Sequence, residues 1–207
     1  MIKIIESNEP LVNLKKLCPN FVIDLDASRM KKEKTAYLRK TVAKMLQKAE
    51  KFLPNGMTFI IGDAWRPQYV QRKIFKDFIC KFTKKYPKWS EKRIIKEVEK
   101  YVAPADGKYA SGHMTGGAVD LRLWKNDRKV PMKSSKLSYQ ENAKSIQSKL
   151  PVYLQNNRKI MFTALAKAGL SNYPSEYWHW SYGDIWWAER NHQKIAKYGV
   201  IKEVSNK

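Results

Sequence analysis

Two short segments, far apart in the chain, constrain the fold more than anything else in it. Ser111-Gly112-His113-Met114-Thr115-Gly116-Gly117-Ala118-Val119-Asp120 carries one histidine and an aspartate, and Glu176-Tyr177-Trp178-His179 carries a glutamate and a second histidine. The chain has only 3 histidines, and two of them sit here. Two histidines and an aspartate are a plausible donor set for a catalytic zinc, which takes three protein ligands, keeps a fourth position open and has a carboxylate nearby to carry protons. If His113, Asp120 and His179 are such a set, with Glu176 as proton carrier, the fold must bring both segments to one point. Local pattern makes this feasible. Glycines flank His113, so the backbone can turn sharply there. From Gly117 the text Ala-Val-Asp-Leu-Arg-Leu alternates as a half-buried strand does, and so does Tyr-Trp-His-Trp-Ser-Tyr around His179. The competing reading is an ordinary histidine in a glycine-rich turn and another in an aromatic core strand.

Composition narrows the class. A chain of 207 residues with 43% hydrophobic and 12% aromatic residues suits one globular domain, residues 1–207. No apolar run reaches the roughly eighteen residues of a membrane span. The first ten residues carry Glu6 and Glu9 and do not read as a secretory signal, so a cytoplasmic location is expected. Cys18 and Cys80 show no disulfide or zinc-knuckle spacing. The formal charge of +22 attracts polyanions without specificity, but its basic segments, such as residues 29–34 and 81–85, are scattered. They read as solvated helix faces. Lysine outnumbers arginine, which argues against specific recognition of nucleic acid.

Along the chain, Phe21 to Leu25 reads as a first strand. The spacing of Leu38, Val42, Met45, Leu46, Ala49 and Leu53 predicts an amphipathic helix from Thr35 to Leu53, stopped by Pro54-Asn55-Gly56. Met57 to Gly62 is a buried strand that delivers Asp63 and Arg66 at its end. Pro67 opens the next helix, and Ser90 caps another containing Ile94, Ile95 and Val98. Residues 104–108 form the loop feeding the histidine segment. Trp124 to Tyr139 is basic and without pattern, a candidate mobile rim. Asn156 to Ala168 is a helix ended by Gly169. Trp186, Trp187 and Tyr198 dock the tail, and His192 is a surface residue.

The permanent charge of Arg66 suits it either to meet a developing oxyanion or to form a structural salt bridge with Asp63. Asp63 orients Arg66 or caps the Pro67 helix, and Ser111 either contacts substrate or holds the His113 loop.

Ser111-x-His113-x-x-Gly116-x-Ala118-x-Asp120 resembles the metal-binding signature of the D-alanyl-D-alanine dipeptidases related to those of vancomycin resistance. Glu176-x-x-His179 is similar to their second signature, and Asp63-Ala64-Trp65-Arg66-Pro67 to their Asp-Ala-Tyr-Arg-Pro segment. The likeness runs from about Phe21 to about Trp187, with three motifs in family order. It implies one Zn2+ per chain on His113, Asp120 and His179, Glu176 as general base and acid, and Arg66 as transition-state stabiliser. Ser111 and Asp63 would then be substrate-binding candidates. It also implies an α+β fold with a central antiparallel-rich sheet flanked by helices and the zinc site on the sheet. The chain departs from the pattern at Lys129 to Leu137, a basic stretch where the family carries carboxylates that help receive the substrate ammonium. The expectation is hydrolysis of D-alanyl-D-alanine or a similar short D-amino-acid peptide. The alternatives are a D,D- or L,D-carboxypeptidase of peptidoglycan stems, or a non-enzymatic polyanion-binding protein with a structural zinc.

Overall fold

The computed structural model describes residues 2–28, 30, 36–106 and 110–201. Its centre is a sheet of strands β3 (Val22–Ile23), β5 (Met57–Asp63), β6 (Ala118–Lys125), β9 (Glu176–Ser181) and β8 (Ser171–Tyr173), in that spatial order, with β7 (Arg128–Lys129) added to the end of β6. β3 runs parallel to β5 and the remaining neighbours are antiparallel, so the sheet is mixed. Two small pairs lie outside it. β1 (Lys3–Ile4) runs parallel to β10 (Ile195–Ala196), and β2 (Leu11–Asn13) antiparallel to β4 (Tyr37–Arg39).

Strand alternation divides the sheet into two faces. Val119, Leu121 and Leu123 of β6 join Phe59 and Ile61 of β5 and Trp180 of β9 in the main core, all at most 3% exposed. Helices α2 (Lys40–Glu50) and α6 (Val152–Lys167) supply Val42, Leu46, Met161 and Leu165 to that core, and each such side chain contributes about 1.5–3 kcal/mol by leaving water. Phe162 meets Trp180 edge-on at 5.1 Å between ring centres. Asp120, Arg122 and Trp124 therefore point to the opposite, half-buried face. Helices α3 (Gln68–Lys85) and α4 (Glu91–Val98) pack on one another, and α3 buries only Gln71 and Ile74. Ser90 caps α4 by accepting from the Arg93 amide. Lys81, Lys84 and Lys85 lie on exposed helix faces.

Several sequence expectations shift. Periodicity predicts helix from Thr35, but Tyr37–Arg39 is strand and α2 begins at Lys40. The cause is tertiary: Trp65 and Arg39 amides bond Tyr37 and Gly116 carbonyls, and β2 pairs across. Thr35 lies outside the described residues, as do most of the basic 29–34 segment and Lys108. The Phe21–Leu25 strand shrinks to Val22–Ile23, and α6 starts one turn earlier than expected, directly after Pro151.

The largest correction concerns Trp124 to Tyr139, which is not a free rim. β6 and β7 close a tight hairpin at Asn126 and Asp127, both at positive φ as a type I′ turn requires. Beyond it, the buried Arg158 guanidinium donates to the carbonyls of Met132, Asn142 and Lys144. Asn157 binds the Pro131 carbonyl, and Asn142 ties Ser134 and Leu137. The short helix α5 (Tyr139–Ala143) carries a capping box of Ser138 and Glu141. The tail docks as expected: α7 (Ile185–Arg190) starts on the Asp184 cap, Trp186 donates to the Ala110 carbonyl, and Tyr198 is 2% exposed. His192 is exposed, and both cysteines are free.

Candidate active site

The site is built where β5, β6 and β9 run side by side on the face away from the core. Register places Asp120 opposite His179 on one side. On the other, a β-bulge at Gly62 sets Asp63 opposite Asp120. His113 arrives from a single 3-10 turn, Gly112–Thr115, closed by Gly116 in the left-handed conformation at φ 71°. The turn cannot sit farther from its surroundings: a side chain on Gly112 would strike the Asp184 carboxylate, and one on Gly117 would come within 2.7 Å of the Tyr182 carbonyl.

His113 is 2% exposed, and its Nδ1 lies 2.9 Å from the Ala64 carbonyl. A ring nitrogen beside a carbonyl oxygen is the protonated one, so Nε2 is the nitrogen left with a lone pair, and it points at Asp120 Oδ1, 3.3 Å away. Asp120 Oδ1 also lies 2.9 Å from His179 Nδ1, and the imidazoles meet edge-on at 4.8 Å. One donor atom from each of His113, Asp120 and His179 lies within 4.8 Å of the others, and this is the one such group among the described residues. A carbonyl-oriented imidazole, a second imidazole and a carboxylate converging on one point fit Zn2+ in donor type and number.

Electrostatics bind the cluster together. Burial pushes the Asp120 carboxyl up, but the charges and hydrogen bonds of His113 and His179 outweigh it and hold Asp120 well below the carboxylate range. Burial pulls His179 down, while Asp120, Glu176 and Asp184 reverse this and raise it. Glu176, the first residue of β9, is raised by burial and then by repulsion from Asp120, with partial relief from His179, His113 and Arg66. A carboxyl lifted in this way is a better proton acceptor than an ordinary glutamate.

Arg66 leaves β5 just beyond the bulge. Its amide donates to the His113 carbonyl, fixing the strand end to the turn that carries His113. Its guanidinium lies 3.5 Å from Asp63 Oδ2, and its Nε is buried without a hydrogen-bond partner among the described residues. Asp63 is thus an orienting neighbour of Arg66, and its second oxygen accepts from the Ala64 amide. Ser111 is 8% exposed and precedes the turn, its carbonyl accepting from the Met114 amide.

Other residues at the site carry no sequence signature. Tyr173 of β8 sets its ring edge-on to His179 at 5.9 Å, and Arg190 lies 5.7 Å from that ring while donating to Ser181. Asp184 is fully buried and acts on His179 through its charge. An acidic residue just before Ile185-Trp186-Trp187 was legible as a helix cap, though not as part of this site.

The model of the D-ala-D-ala dipeptidase family, Peptidase_M15, matches residues 21–198. The chain belongs to this family. The match spans every dipeptidase-like motif described above. A curated relative, the D-alanyl-D-alanine dipeptidase of Synechocystis sp. (strain ATCC 27184 / PCC 6803 / Kazusa), is 39% identical over 54 residues, 23% of this chain and 22% of that protein. The aligned stretch is thus under a quarter of the relative's length. Among solved structures, the vancomycin-resistance D,D-pentapeptidase VanY in complex with Zn(II) superposes with a TM-score of 0.48 at 16% identity, over 78% of this chain and 82% of that one. VanYB in complex with D-alanine-D-alanine gives 0.49 at 18% identity, over 79% and 81%.

Proposed function

We propose that this dipeptidase-family chain is a zinc-dependent peptidase that hydrolyses D-alanyl-D-alanine or a similarly short D-amino-acid peptide. The observation that carries this reading is the convergence of His113, Asp120 and His179 beside Glu176 and Arg66. These three side chains would hold one zinc ion, with His113 aligned by the Ala64 carbonyl. When bound, the ion supplies a Lewis acid that polarises a carbonyl and acidifies water. The Glu176 carboxylate accepts the proton of the attacking water on a side-chain oxygen and returns it to the leaving amine nitrogen. The Arg66 guanidinium, with donors to spare, faces the carbonyl oxygen as negative charge builds on it. Asp63 keeps that guanidinium in place, and the Tyr173 ring, edge-on to His179, covers one side of the centre against bulk water.

A second reading, carboxypeptidase action on longer peptidoglycan stems, is favoured by one feature. No carboxylate occurs between Lys129 and Leu137 to receive a free ammonium.

The test is hydrolysis of D-Ala-D-Ala, its N-acetyl form and a stem peptide, with and without chelator, alongside zinc content. Wild-type protein should bind one zinc, and His113→Ala should lose it. Arg66→Ala should lower turnover about 100- to 1000-fold, with only partial recovery in Arg66→Lys. Cleavage of the stem peptide alone would select the carboxypeptidase reading. No cleavage by zinc-loaded protein would leave a non-enzymatic polyanion-binding role.

A further inference from the structure

Beside the candidate zinc centre, the same face of the sheet carries a group of cations that the hydrolytic chemistry does not use. Arg122 follows Asp120 by two residues on β6, so both side chains leave the same face, with Cα atoms about 7 Å apart. The Arg122 Nε donates to the Tyr177 hydroxyl at 3.2 Å, which pins the guanidinium against β9, and among the described residues its two terminal nitrogens have no hydrogen-bond acceptor. Lys133 reaches in from the segment anchored by Arg158. Its Nζ and the Arg122 Cζ are each 5.8 Å from the ring centre of Trp178, the residue before His179.

We propose that Arg122 and Lys133 form a carboxylate-recognising subsite over the Trp178 indole, so that the preferred substrate carries an extra carboxylate within reach of the scissile bond. This deepens the peptidase reading and rests on it. Among the described residues neither cation has a carboxylate within 4.0 Å. Asp24, on neighbouring β3's end, is engaged by Lys129 at 2.7 Å. Burial and then the charges of Arg122, Arg158 and Lys129 lower the Lys133 ammonium from its ordinary value, and of these cations Lys129 has its counter-charge in Asp24. An anion placed between Arg122 and Lys133 relieves that repulsion. Trp178 is 8% exposed and roofs one side of the position, which strengthens a charge-assisted hydrogen bond formed there. One planar fork and one point charge match a single carboxylate, and the short distance to Asp120 places it on the substrate itself rather than on a distant polymer.

The probes are N-succinyl-D-Ala-D-Ala and its neutral isostere N-butyryl-D-Ala-D-Ala. Zinc-loaded wild type should favour the succinyl compound about tenfold in kcat/KM, mainly through KM, the scale of one charge-assisted hydrogen bond. Arg122→Gln/Lys133→Gln should bring the ratio to about one, and Lys133→Gln, a change at an exposed position, should lower it partway. A second readout needs no turnover. In metal-free protein the indole N–H resonance of Trp178, assigned by its absence in Trp178→Phe, should shift with the succinyl compound at lower concentrations than with the butyryl one, and the double variant should lose this difference. Equal treatment of both compounds in rate and resonance overturns the subsite, as does a preference that survives the double variant. A selective Trp178 response without cleavage of either compound, or of free D-Ala-D-Ala run beside them, supports the subsite and refutes the hydrolytic reading instead.

Discussion

At the scale of single residues, Glu176 carries the sharpest consequence. Its carboxyl is raised by burial and by Asp120, so in the metal-free fold its ionised form is disfavoured. The sign follows directly: the folded value exceeds the unfolded one, so the destabilisation grows as pH rises above the ordinary value of 4.5, is full above the raised value, and vanishes once both states are protonated. Glu176→Gln should therefore raise the melting temperature of metal-free protein at neutral pH, with the gain disappearing in acid. The same variant should retain zinc and lose roughly a hundredfold to ten-thousandfold in turnover. Melting curves across pH, with zinc analysis, check both. Loss of zinc in the variant would make Glu176 a ligand. That His113, Asp120 and His179 come together was legible because the proposed metal chemistry would impose such a spacing on them and on Glu176. Tyr173, Arg190 and Asp184 were not, since they reach the site through the β8–β9 turn and the α7 cap, and nothing local to them encodes that arrival.

At the scale of elements, pattern located most strands and helices, and failed where a segment is held by partners distant in sequence. Residues 131–138 lack periodicity because many of their backbone groups are satisfied by side chains of α5 and α6 rather than by a ladder. Arg158 is the centre of that arrangement, and its guanidinium also lies 4.0 Å from the Tyr177 ring. Arg158→Met keeps the apolar stem and removes the donors. It should destabilise by about 3 kcal/mol or more, because buried carbonyls left unpaired cost about 1–3 kcal/mol each. Denaturant melts measure this, and a loss under about 0.5 kcal/mol would mean the segment is held without it. Tyr37–Arg39 shows the reverse error: the helical period continues through it, but pairing with β2 and contact with Gly116 win.

At the scale of the whole molecule, both ends of the described chain close over the turn that carries His113. Arg39 donates to the Thr115 carbonyl, the Glu9 carbonyl and the Glu6 carboxylate, and Tyr198 donates to Glu9 at 2.5 Å. Composition alone gave Glu6 and Glu9 no such role. Burial pushes Glu9 up, yet hydrogen bonds from Thr41 and Tyr198 prevail and lower it. Its contribution is present above the ordinary carboxyl value and lost as pH falls through the lowered one. Glu9→Gln should thus melt earlier than wild type at neutral pH and converge with it in acid; parallel curves throughout would refute the role.

The 3-10 turn that carries His113 has a further consequence. Its carbonyls receive Arg39, the Gly116 carbonyl receives the Arg39 amide, and the Met114 carbonyl receives the Ile201 amide. Any ligand that binds only the closed turn therefore also favours attachment of residues 3–12 and 195–201, by mass action and without touching them. Zinc affinity at the centre and local opening at the periphery become one equilibrium read at two places. Amide hydrogen exchange at the β1–β10 pair should slow on adding zinc and quicken on chelation, while exchange in the last turns of α3, which pack on α4, should stay as it was.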